Sequence, residues 1–206
     1  MKRLLCFGDS NTYGYAPYDG RYAAAIRWSG VLAERLAPDW QLIEAGLNGR
    51  TIAAFDPLWP EKNGAEILPA YLRRYAPLDL LLLMLGSNDA LYAPAEDVAD
   101  AMDGLLAVAR REAPGCRLLL LAPPAPAGDV WRSAVVQALP PLYHVLADRY
   151  GAVFADTNLW QPPLAEDGCH LAAAGHRVFA ERLFACIRQL EQTAEKPDAA
   201  EVAPWR

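Results

Sequence analysis

A chain of 206 residues with 53% apolar side chains is long enough for one domain with a sizeable core, with no need of disulfide or metal staples. Its formal charge of -6 and the absence of any basic stripe exclude a nucleic-acid binder, because nothing neutralises a run of phosphates. The apolar run behind the basic tip Met1-Lys2-Arg3 stops at Phe7, too short for a secretory leader, and no stretch approaches bilayer length; the chain is expected to be cytoplasmic, with no membrane partner.

The first predicted element is a strand over Arg3–Phe7. A helix follows, with Trp28, Val31, Leu32 and Leu36 on one face, and Gln41–Glu44 is the second strand. Ile67, Leu68, Tyr71, Leu72 and Tyr75 mark the next helix, and Leu80–Leu85 the third strand. After Pro94, Val98, Met102, Leu105, Leu106 and Ala109 recur at helical spacing. That helix opens on Glu96, Asp97 and Asp100 and closes on Arg110 and Arg111, which suits its dipole. Arg117–Ala122 is the fourth strand. A helix is expected between Trp131 and Tyr150, broken or restarted at Pro140-Pro141, since proline lacks the N–H and clashes with the preceding turn. Ala152–Ala155 is the fifth strand. A last helix runs from about Ala172 to Gln192 with Phe179, Leu183, Ile187 and Leu190 inward.

Leu80–Leu85 and Leu118–Leu121 are apolar at every position. Such strands are buried on both faces, the mark of a parallel sheet covered by helices. The alternation of strand and helix predicts an α/β fold: a three-layer α/β/α sandwich around a mainly parallel five-stranded sheet, with right-handed crossovers. One domain is expected over 1–192, with a polar tail over 193–206 in which Trp205 offers a docking point for a neighbouring subunit.

Ligands of such sheets bind at the carboxyl ends of the strands. There the sequence places Gly8-Asp9-Ser10, Gly46-Leu47-Asn48-Gly49-Arg50, Gly86-Ser87-Asn88-Asp89 and, before the last helix, Asp167-Gly168-Cys169-His170. Ester cleavage needs a nucleophile, a base, a group to orient the base, and donors for the tetrahedral oxyanion. Ser10 supplies the hydroxyl. His170 is the candidate base, being of the one side-chain type that ordinarily titrates near neutrality. Asp167, three residues earlier, is placed to take the Nδ1–H of His170. The N–H groups of Ser10 and Gly49 and the amide of Asn88 are candidates for the oxyanion hole. Tyr13, Tyr15, Trp59 and Tyr92 fall in loops near the same rim and, with Asp9, are candidates for the substrate pocket; ordinary loop packing is the competing reading for the aromatics, and holding the Ser10 loop is the competing reading for Asp9.

Singly, each block is also a common turn or capping signal. Four strand-end loops that each carry the needed residue type are hard to explain as turns alone. Cys169 beside His170 raises a Cys–His pair, but sequence neighbours usually point apart. Cys6 and Cys186 lie in apolar stretches and read as core, and His144 and His176 as surface or packing residues. Three histidines without ligand spacing give no metal site, and neither a P-loop nor a Gly-x-Gly-x-x-Gly run follows the first strand; no cofactor is expected.

These blocks, in this order from Phe7 to Leu171, resemble the SGNH hydrolase superfamily, also called GDSL esterases. Gly8-Asp9-Ser10 is similar to the nucleophile block, Gly49 to the glycine block, Asn88 to the asparagine block and Asp167-x-x-His170 to the last block. Asn11 departs from the motif, which has leucine there. The resemblance implies the flavodoxin-like SGNH fold, Ser10, Asp167 and His170 as catalytic residues, and Ser10, Gly49 and Asn88 as oxyanion donors. Leu5–Ser10, Arg27–Leu32 and Met84–Asp89 look most like the bacterial arylesterase and acyltransferase branch. That branch implies short-chain aryl or alkyl esters as substrates, acyl transfer to alcohols or peroxide in some members, and, in some, homo-oligomers that narrow the entrance. The expected partner is a small-molecule ester. A carbohydrate deacetylase, a lysophospholipase or a thioesterase on the same scaffold is the alternative.

Overall fold

A strand that is apolar at every position has to be covered on both sides, and the fold meets that demand. The computed structural model describes residues 1–53 and 60–194. The chain runs through β1 (Lys2–Gly8), α1 (Ser10–Tyr13), β2 (Tyr15–Ala16), β3 (Gly20–Arg21), α2 (Trp28–Leu36), β4 (Trp40–Gly46), α3 (Gly64–Tyr75), β5 (Leu80–Met84), α4 (Ala95–Glu112), β6 (Arg117–Ala122), α5 (Ser133–Tyr150), β7 (Val153–Asp156) and α6 (Ala173–Ala194). The main sheet has the order β4-β1-β5-β6-β7, and every pairing in it is parallel. The five predicted strands are all present. The β2–β3 hairpin adds to them, because two-residue strands are too short to display a period.

Alternation sorts the apolar runs between the two faces. Leu5, Phe7, Leu81, Leu83, Leu118 and Leu120 pack with α3, α4 and α5. Leu4, Cys6, Leu80, Leu82, Leu119 and Leu121 pack with α2 and α6. Phe179, Leu183, Ile187 and Leu190 of α6 are all buried, as their spacing predicts. Cys6 is fully buried, whereas Cys186 is only half-buried on the outer flank of α6.

One expectation is overturned. α5 continues unbroken through Pro140 and Pro141. Val136, Leu139, Tyr143 and Leu146 form a buried stripe that spans the prolines, while Pro141 faces outward. Burying each large apolar side chain contributes about 1.5–3 kcal/mol. A proline inside a helix costs about 3 kcal/mol, so the stripe outweighs the break.

β1 lies between β4 and β5. The chain leaves β1 for the neighbour on one side and later returns to the neighbour on the other, so the order reverses there and a crevice opens at the carboxyl edge. Among the described residues no helix is long and apolar enough to cross a membrane. Of the segment read as a tail, Thr193 and Ala194 belong to α6, and the remainder, Trp205 included, lies outside the described residues.

Candidate active site

The crevice is built first by the end of β1. Asp9 caps the one-turn helix α1, its Oδ1 accepting the Asn11 N–H at 2.9 Å. α1 lies directly on the end of β4: a Cβ on Gly46 would come 2.1 Å from the Tyr13 nitrogen, so only glycine fits there. Asp9 is 1% exposed yet borders the cavity floor. Burial pushes its carboxyl up to about 6, against the Asn11 N–H, His170 and Arg50, which favour the charged form. Of the two readings of Asp9, its contacts fit the holding of the Ser10 turn.

Ser10 stands at the start of α1, and the loop before α6 brings His170 to it. His170 Nε2 lies 2.9 Å from Ser10 Oγ across 160 residues of sequence. On the other side of the ring, Nδ1 lies 2.6 Å from Asp167 Oδ2. Asp167 Oδ1 accepts the N–H groups of Cys169 and His170, each at 3.0 Å. Partial burial raises the Asp167 carboxyl, but these two N–H groups and the imidazole outweigh it and hold it below its ordinary value. An ionised Asp167 takes the Nδ1–H. That leaves the Nε2 lone pair toward Ser10, whose hydroxyl donates to it. The three side chains named from the sequence therefore form one hydrogen-bonded line.

The opposite wall comes from the loops after β4 and β5. Gly49 has φ 74°, a left-handed conformation that favours glycine, in the turn that returns from β4. Asn88 Nδ2 donates to the Arg50 carbonyl at 2.9 Å and carries a second N–H. Ser10, Gly49 and Asn88 all line the same cavity of about 480 Å³, together with Asp167 and His170. Tyr15 forms part of the wall, its ring 4.6 Å from the His170 ring. Tyr13 and Tyr92, also expected in the pocket, do not line it. The Tyr13 ring instead lies under the Arg21 guanidinium at 4.4 Å, and Tyr92 is 68% exposed beyond the rim. Trp59 lies outside the described residues.

The Cys–His alternative fails on chemistry. Burial, and then the charges of Asp9 and Asp167, push the Cys169 thiol up to about 12, so it stays protonated, and both ring nitrogens of His170 are already engaged. His144 is an exposed residue stacked on Phe154 at 5.1 Å. His176 is fully buried packing.

Three supporting residues escaped the sequence reading. The Asp89 carboxylate accepts the Ile52 and Ala53 N–H groups at 2.9 and 3.2 Å, fixing the backbone beyond Gly49. Arg50, read only as the end of a strand-end loop, is 2% exposed. Its guanidinium lies 4.1 Å over the Phe7 ring and donates to the carbonyls of Gly8, at 3.0 Å, and Ala45. It thereby ties together the ends of β1 and β4. Asn11 is the third, and its contacts are taken up below. A Gly-Arg pair in a turn carries no signal of burial; the Asn88-Asp89 pair offered a hint, because an acidic residue beside a candidate donor often serves backbone N–H groups.

A sequence profile of the GDSL-like lipase/acylhydrolase family matches residues 6–178. A GDSL lipase of Mycobacterium tuberculosis is 34% identical over 200 residues, covering 91% of this chain and 82% of that protein. An aryl esterase from Mycobacterium smegmatis superposes with a TM-score of 0.84 at 33% identity, over 92% of this chain and 100% of that one. A carbohydrate acetylesterase family member from Sinorhizobium meliloti also reaches 0.84, at 34% identity over 92% and 99% of the two chains.

Proposed function

Because the chain belongs to the GDSL-like lipase/acylhydrolase family, we propose that it is a serine esterase that cleaves short-chain carboxylic esters through an acyl-enzyme on Ser10. The observation that carries this reading is the unbroken line Ser10 Oγ, His170 Nε2, His170 Nδ1, Asp167 Oδ2. His170 takes the Ser10 proton as the oxygen attacks the ester carbonyl. The N–H groups of Ser10 and Gly49 and the free N–H of Asn88 hold the oxyanion. His170 passes its proton to the departing alcohol, and the C–O bond of the ester breaks. Water, activated by the same imidazole, then releases the acid; an alcohol or peroxide in its place yields a new ester or a peracid.

The cavity of about 480 Å³, with the Tyr15 ring in its wall, has room for a small ester, and the resemblance to the short-chain branch favours acetyl to butyryl groups. The M. smegmatis aryl esterase supports aryl esters among the substrates. The S. meliloti acetylesterase supports a second reading, acetylated sugars, on the same machinery. All four cysteines are free thiols, which fits the cytoplasmic location expected from the sequence.

Fluorophosphonate labelling with peptide mapping tests the nucleophile. The label is expected on Ser10, and Ser10→Ala should lose turnover by a factor on the order of 10⁶. Near-normal ester turnover in Ser10→Ala would end the proposal. A panel of para-nitrophenyl esters and acetylated sugars decides between the two substrate readings, and a peak at long acyl chains would overturn the short-chain preference.

A further inference from the structure

Asn11 occupies the position next to the nucleophile, and its side chain is spent on the far loop. It is 4% exposed. Its Oδ1 accepts the Leu171 N–H at 2.9 Å, and its Nδ2 makes a longer contact with the Cys169 carbonyl at 3.5 Å. The amide orientation follows from the partners, since an N–H requires the oxygen and a carbonyl requires the NH₂. Cys169 and Leu171 are the two neighbours of His170. Asn11 is itself held by its backbone, its N–H on Asp9 Oδ1 and its carbonyl on the Trp28 indole N–H at 2.8 Å.

We propose that Asn11 is a positioning residue for the reaction: its side-chain amide grips the backbone on both sides of His170 and so fixes the imidazole against Ser10. The inference rests on the esterase reading above. Other contacts hold the His170 loop to itself and to its surroundings, through the Leu164–Leu171 bridge and the bond from the Ala127 N–H to the Gly168 carbonyl. The Asn11 bonds are different in kind. They run to the turn that carries the nucleophile, so any drift of the base loop relative to Ser10 stretches them. Leucine, the usual residue of the motif here, has neither a donor nor an acceptor. This chain has therefore built a link between its first and last site loops that the motif does not supply. A misplacement of about 1 Å between reacting groups costs roughly 10²-fold in rate, which sets the scale of what the link protects.

The test compares the full chain with Asn11→Leu and Asn11→Ser. Leucine is native to this motif position and has the same branched heavy-atom skeleton, so the turn should form. Serine keeps a polar group that is too short to reach both flanks. In both variants kcat is expected to fall about 10- to 100-fold, with KM changed only a few-fold. Fluorophosphonate labelling of Ser10 should slow in proportion, and the low-field proton resonance of His170 Nδ1–H should shift or broaden. Unchanged kcat and labelling would overturn the proposal, as would a lowered melting temperature with normal kcat per folded molecule, which marks Asn11 as a fold element only. If the leucine variant fails to fold, the serine variant decides on the same readouts. Ser10→Ala runs alongside: turnover retained there removes the esterase reading and this inference with it, whereas loss there with unaffected Asn11 variants removes this inference alone.

Discussion

Two histidines close together in sequence have opposite fates in this molecule. His170 sits at the cavity, its side chain 16% exposed, with Asp167 on one ring nitrogen and Ser10 on the other. His176, in the first turns of α6, is fully buried. Its Nδ1 accepts the Trp28 backbone N–H at 3.3 Å, its ring meets Tyr22 edge-on at 5.0 Å, and its Nε2 has no hydrogen-bond partner among the described residues. Burial, followed by the charges of Arg27 and His170, pushes the His176 imidazole down to about 4. The difference lies first in depth and then in the partners. A carboxylate on one ring nitrogen orients an imidazole and fixes its tautomer; burial, with a backbone N–H on one nitrogen and no hydrogen-bond partner among the described residues on the other, makes it a neutral wedge.

The contrast breaks most sharply at His170. His170→Ala should lower kcat by about 10⁴-fold or more while leaving the melting temperature almost unchanged, read by ester turnover and thermal unfolding on one preparation. Substantial turnover in that variant would place the base elsewhere.

Acid sharpens it next. An unfolded histidine takes up its proton near 6.5, whereas buried His176 resists until about 4. Its contribution to stability is thus complete above pH 6.5 and is lost as the pH falls toward 4, a change of about 3 kcal/mol. Asp9 works in the other sense. Its carboxyl is raised from 3.8 to about 6, so its contribution is complete below pH 3.8 and is lost as the pH rises through 6. The two partly offset each other in the intact protein. In His176→Leu the His176 effect is gone while the carboxyl effects are shared with the parent, so the stability gap between variant and parent should move in the variant's favour by up to about 3 kcal/mol from neutral pH to about pH 4. Urea unfolding at several pH values measures it, and a gap that does not vary with pH would show that His176 is not the titrating group.

The smallest effect is expected at neutral pH. His176→Leu leaves the Trp28 N–H unpaired, at a cost of about 1–3 kcal/mol, with kcat per folded molecule retained. A large loss of kcat without a loss of stability would give His176 a part in the chemistry after all.

The sequence reading reached furthest where burial is symmetric or chemistry is local. Leu80–Met84 could only be an inner strand, and the residues past each strand end could be named because parallel topology sends those ends to one edge. It missed wherever a residue's role is set by a distant segment. Pro140 and Pro141 read as a break because the stripe of α5 that holds them meets its partners only after folding. Arg50 and Asn11 read as turn residues because their partners are backbone groups, which leave no trace in residue identity. Among the aromatics, Tyr15 could not be told from Tyr13, since the β2–β3 hairpin that orients them has no period to read.

The distance along the chain between Ser10 and His170 also bears on synthesis. A ribosome delivers Ser10 well before β7 and His170 emerge, and the strand behind Ser10 is flanked by β4 and β5, both made later. On the proposed esterase reading, a nascent chain that ends short of His170 has no base for Ser10, and acyl transfer is expected only once the last segment docks. On that reading, products truncated before His170 are expected to be inactive toward esters.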